Sequence, residues 1–155
     1  MLIQYLMEDK EECPIWDIKE QIFAASQMLN IPFRIMEDAS KESIISSVME
    51  KYCKVKSHWP IWEKFSDFVG VSNKDAWQWI EEFVGSNKCI LFFNPSDEKR
   101  AYLFESGQHV VSVIEELFNV EFYVTNEATD YLLCFNHHDC LMALGNAIDW
   151  LDTRG

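Results

Sequence analysis

At 155 residues, with 48% hydrophobic and 14% aromatic residues, the chain is long and apolar enough to bury a core, which excludes a disordered segment. A formal charge of −13 sets its surface against nucleic acid and anionic membranes, whose recognition selects for Lys and Arg. The same charge favours a basic protein partner through electrostatic steering, or serves solubility alone.

Five glycines and four prolines leave little room for long loops, and no repeat or low-complexity stretch is present, so residues 1–155 are expected to form one domain. The five cysteines show no paired spacing. Cys53, Cys89, Cys134 and Cys140 sit among apolar residues, where a free thiol behaves as a small buried hydrophobe. The opening MLIQYLMEDKEEC lacks the basic start of a signal peptide, and no apolar run approaches the ~18 residues that span a bilayer. These features predict a cytoplasmic protein.

Leu2 to Met7 form a short apolar piece, followed by the acidic cluster Glu8, Asp9, Glu11 and Glu12. Ile18, Ile22, Ala25 and Leu29 then recur at helical spacing, and Pro32 ends that helix. Ser40 is expected to cap a second helix whose apolar face is Ile44, Ile45, Val48, Met49 and Tyr52. Trp59, Trp62, Phe65 and Phe68 or Val69 step by three and four, which predicts a short helix after Pro60. A fourth helix is expected from Asn73 to about Val84, with Trp77, Ile80 and Val84 aligned. Trp79 stands off that stripe, where it either covers a neighbouring helix or anchors a partner, tryptophan being enriched at interface hot spots.

The pattern changes at Lys88. Cys89 to Phe93 reads as a buried strand, Asn94-Pro95-Ser96-Asp97 as a turn and Arg100 to Phe104 as the returning strand. A helix with Val110, Ile114, Leu117 and Phe118 inward follows Ser106-Gly107. Val120, Phe122 and Val124 then alternate with Glu121, Tyr123 and Thr125, the period of a half-exposed strand. Tyr131 to Phe135 is a further buried strand, ended by the polar corner Asn136-His137-His138-Asp139. Asn136 or Asp139 is expected to cap a closing helix, since the two stand three apart as in a capping box. Leu141, Leu144, Ile148 and Leu151 form the inward face of that helix, and Gly145 lies on it. A glycine costs about 1 kcal/mol in a helix, so close packing on the sheet is the expected reason for Gly145. The order is four helices and then β-β-α-β-β-α. It predicts an α+β fold, with a helical part at about residues 15–85, a mixed part at about 88–151, and helices over one face of a roughly four-stranded sheet.

Cys134, His137, His138 and Cys140 lack the CxxC or HxxxH spacing of a metal site. No GxSxG, GxGxxG or GxxxxGK occurs, and the 26 acids offer carboxylate pairs with no means of choosing one. No catalytic, cofactor-binding or metal-binding residue is therefore predicted. The strand Tyr131–Phe135, the Asn136-to-Asp139 corner, the following segment with Gly145 and the preceding hairpin ILFFNPSDEKRAYLF together resemble small bacterial proteins of poorly characterised families. Some of these act as immunity proteins for polymorphic or contact-dependent growth inhibition toxins. The resemblance covers Cys89 to Leu151 and implies a cytosolic protein that binds one cognate toxin domain and blocks it. Many such toxins are nucleases with basic grooves, which an acidic inhibitor can fill as a phosphate mimic. Toxin-facing surfaces vary within such families, so the corner carries over as a structural match only. The expected partner contacts are Glu8, Asp9, Glu11, Glu12 and Trp79. The alternatives are a small enzyme built on His137, His138 and Asp139, or a general protein-interaction module.

Overall fold

The computed structural model describes residues 17–154. Its framework is a seven-stranded antiparallel sheet, which replaces the expected four-stranded one. In chain order the strands are β1 (Phe33–Ile35), β2 (Val69–Ser72), β3 (Cys89–Phe92), β4 (Tyr102–Phe104), β5 (Phe122–Thr125), β6 (Tyr131–Phe135) and β7 (Cys140–Gly145). They lie side by side as β1-β4-β3-β5-β6-β7-β2. The described helices are α1 (Ile18–Leu29), α2 (Asp38–Tyr52), α3 (Ile80–Val84), α4 (Gly107–Ile114) and α5 (Ile148–Arg154), with 3-10 turns at Ile61–Lys64 and Ala76–Trp79. Helices are interleaved with strands along the chain, so the division into a helical half and a sheet half does not hold.

Alternation along the strands builds two cores, one on each face of the sheet. Leu91, Phe122, Val124, Leu133 and Leu141 point to one face, where α1, α3, α4 and α5 lie. Ile90, Phe92, Tyr123, Leu132, Cys134 and Met142 point to the other, covered by α2 and the 61–64 turn. Burial on both faces is why β3, β5 and β6 are apolar at nearly every position. Helices over one face alone are thereby ruled out.

Local chemistry explains most of the boundaries. Asp17 caps α1 by accepting the Glu20 N–H at 2.8 Å, and Asn30 ends it in the left-handed region at φ 56°. Glu37, and not Ser40, occupies the N-cap position of α2, and its side chain makes no cap bond. The helix expected after Pro60 is a single 3-10 turn, pinned by a Cys53–Phe65 bridge. The helix expected from Asn73 reduces to the 76–79 turn followed by α3. Among the described residues no helix is long and apolar enough to cross a membrane.

The closing segment departs most from expectation. Asn136-to-Asp139 is the turn of a β-hairpin, with Phe135 opposite Leu141 and Tyr131 opposite Gly145. The helix begins only at Ile148. Leu141, Met142, Ala143 and Leu144 are all buried and divide between the two cores. Such an unbroken apolar run contains a helical stripe by chance, so its period cannot separate strand from helix. Gly145 ends β7 at φ +64°, and a Cβ there would lie 2.5 Å from both the Asp130 carbonyl oxygen and Tyr52 Oη. The position therefore demands glycine through a tight turn.

Candidate functional site

The β6–β7 turn is shaped by one buried side chain. Asn136 Oδ1 accepts the backbone N–H groups of His138 at 2.9 Å and Cys140 at 3.3 Å, and Asp139 donates its own N–H to the Asn136 carbonyl at 3.1 Å. Asp139 takes φ 56°, a region that short polar residues tolerate. The two residues expected to cap a helix thus close a hairpin, and His137 and His138 project from its tip. Their ring centroids lie 4.0 Å apart, and the Trp62 ring meets each edge-on at 5.8 Å.

Beneath the tip, Glu121 gathers four donors. Its carboxylate accepts Trp62 Nε1–H at 3.1 Å, Asn94 Nδ2–H at 2.9 Å and the His137 backbone N–H at 2.9 Å, and it pairs with His137 Nδ1 as well. Asn94 Oδ1 in turn accepts the buried Tyr123 hydroxyl at 2.7 Å, so a hydrogen-bonded chain runs from the core to the surface. Burial pushes the Glu121 carboxyl up, but the hydrogen bonds from His137, Trp62 and Asn94 outweigh it and hold the group below its ordinary range. An ionised carboxylate only accepts, so His137 Nδ1 must be the donor. A neutral His137 ring then keeps its lone pair at Nε2. With 12% of the Glu121 side chain and 62% of the His137 side chain exposed, a largely buried acid fixes a largely open imidazole.

Beside the tip lies an open cleft of about 390 Å³. Trp77, Ile114, Leu117, Val120, Phe122 and Phe135 supply its apolar lining, and Lys74, Glu115, Asn119, Asn136, His137 and Asp139 its polar lining. The Phe122 and Phe135 rings stack at 6.1 Å. The cleft is positioned by the ends of β5 and β6, the C-terminal end of α4 and the segment after β2.

Of the expected contact residues, Glu8, Asp9, Glu11 and Glu12 lie outside the described residues. Trp79 is half-buried against the core, and the Arg154 guanidinium stacks over its ring at 4.2 Å while bonding Glu82 at 2.7 Å. Its ring is thereby covered within the chain, and it does not line the cleft. Gly145 sits at the far end of β7 from the tip. Burial pushes up the thiols of Cys134 and Cys140, and that of Cys89 to about 12. Among the described residues no three His, Cys, Asp or Glu side chains converge as a metal set. Glu121, Trp62 and Asn94 carried no signal as a group in the sequence, because contacts 16 to 59 residues apart leave no local spacing.

A family of unknown function, DUF6756, matches residues 15–153. The chain belongs to this family. The DUF6756 match takes in the hairpin tip, Glu121 and the whole lining of the cleft. No curated protein and no solved structure was found to match the chain.

Proposed function

We propose that the chain is a stoichiometric binding protein that neutralises a basic protein domain in the bacterial cytoplasm, in the manner of an immunity protein. The observation that carries this reading is the cleft beside His137, with its apolar floor and its Glu115 and Asp139 carboxylates, on a chain of net charge −13. An apolar floor of a few hundred Å³ with a few fixed polar groups is the usual character of a ligand-binding cleft, which supports this reading. Fixing His137 through Glu121 before a partner arrives lowers the ordering cost of association. The acidic surface adds steering towards a basic partner.

A second reading, a small enzyme, draws support from the His137–Glu121 pair, because an imidazole oriented by a carboxylate is the arrangement of a general base. Co-expression with a toxin domain encoded beside this chain tests the neutralising reading. Growth is expected to be restored and a one-to-one complex recovered in pull-down. Cells that die as they do without the chain, with no complex formed, would sink it and bring the enzyme reading forward.

A further inference from the structure

Resting on the reading of a basic partner, we propose that the cleft seats an arginine side chain of that partner, its guanidinium held at the hairpin tip over an aromatic floor. The carboxylates beside the tip are acceptors. His137 offers only its Nε2 lone pair while neutral, because Nδ1–H is committed to Glu121. Glu115 and Asp139 add carboxylates to the same lining and are both exposed. Asn136 contributes little, because its Oδ1 is already occupied by the turn. The one ammonium in the lining, that of Lys74, stands 3.6 Å from the Asp75 carboxylate.

A cleft with carboxylates beside an apolar, partly aromatic lining suits a planar cation carrying several donors. Guanidinium presents five N–H groups in a rigid fork, is weakly hydrated and stacks on aromatic faces. An ammonium is a compact, strongly hydrated charge with no plane to lay on an aromatic face such as that of Trp77, the half-buried ring in the lining. The methylene stem of an arginine suits the apolar floor, as such stems bury readily while the charged head stays at the polar rim. A volume of about 390 Å³ leaves room for the side chain and part of a neighbouring residue. Arginine is also among the residues enriched at interface hot spots.

The test is a two-dimensional NMR titration of the full chain with N-acetylarginine amide, using the citrulline and lysine amides as controls. Citrulline keeps the shape of arginine without its charge. The arginine probe is expected to shift Phe122, Phe135, His137 and Asp139 resonances, with citrulline leaving them in place and lysine acting more weakly. In the double variant Glu115→Gln, Asp139→Asn affinity falls about tenfold or more as charge-assisted bonds are lost, while the melting temperature stays put because both side chains are exposed. Absence of shifts, or equal shifts with citrulline, overturns the seat. Co-expression separates the two ideas. If the double variant protects cells as well as the parent and the probe leaves the cleft unmoved, the seat is wrong and the neutralising reading stands. If the probe moves the cleft but the parent gives no protection and no complex, the seat stands and the neutralising reading fails.

Discussion

Glu121 is the residue on which the tip depends, and its contribution has a defined sign with pH. Its carboxyl is held below the ordinary value of about 4.3. A depressed acid stabilises the fold fully above the unfolded value and loses that contribution as pH falls through the folded one. Glu121→Gln should cost about 1.5–3 kcal/mol near neutrality, the range for hydrogen bonds to a charged group. In urea melts the gap between parent and variant is expected to narrow in acid below about pH 4; a gap independent of pH would mean the carboxylate is not the ionised hub described. Gly145 is the other decisive residue. Gly145→Leu should destabilise by about 1–3 kcal/mol or more, because the side chain overlaps fixed groups and φ is positive. An unchanged melting temperature would place Gly145 elsewhere than against Tyr52 and Asp130. From the sequence Gly145 is expected inside a helix pressed on the sheet; the residue instead ends strand β7, and the clash is with the 130 turn and with Tyr52 at the end of α2.

At the scale of elements, legibility followed burial. Strands β3 and β6 are buried along their whole length and stand out as apolar runs, and α1 and α2 show their stripes because each packs one face on the sheet. Strand β5, expected to be half-exposed from its alternation, is buried on both faces because α2 and the 61–64 turn cover its Tyr123 side. The edges were hidden. Strand β1 has three residues and β2 four, too few for alternation to compete with the three- and four-residue steps of neighbouring aromatics. The same difference should appear in amide exchange. Central β5 and β6, paired on both sides, are expected to exchange near the global unfolding limit, and outermost β1 and β2 well before it. Protection rising instead towards Val69–Ser72 would contradict the strand order. The β6–β7 hairpin belongs to the slow group, and its turn is set by Asn136. Asn136→Ala removes the acceptor of two part-buried backbone donors, at about 0.5–1.5 kcal/mol per hydrogen bond, and should loosen the tip before the strands.

For the whole molecule, charge and cleft act on different rates of association. The net charge of −13 steers encounter, an effect confined to a Debye length of about 8 Å at physiological salt. Contacts in the cleft are made only after docking and govern dissociation. Rising salt is therefore expected to lower k_on for the partner while leaving k_off nearly constant, and the Glu115→Gln, Asp139→Asn variant to do the reverse. The acidic cluster at Glu8, Asp9, Glu11 and Glu12 can be judged on the same basis, because it precedes α1 and its removal deletes no described element. Deleting residues 1–12 removes four acids and Lys10, moving the formal charge from −13 to −10. If those acids serve steering alone, k_on falls modestly, its salt slope flattens and k_off is unchanged. Faster dissociation of the truncated chain in surface-binding kinetics would show instead that the cluster touches the partner, and would move the main contact away from the hairpin cleft.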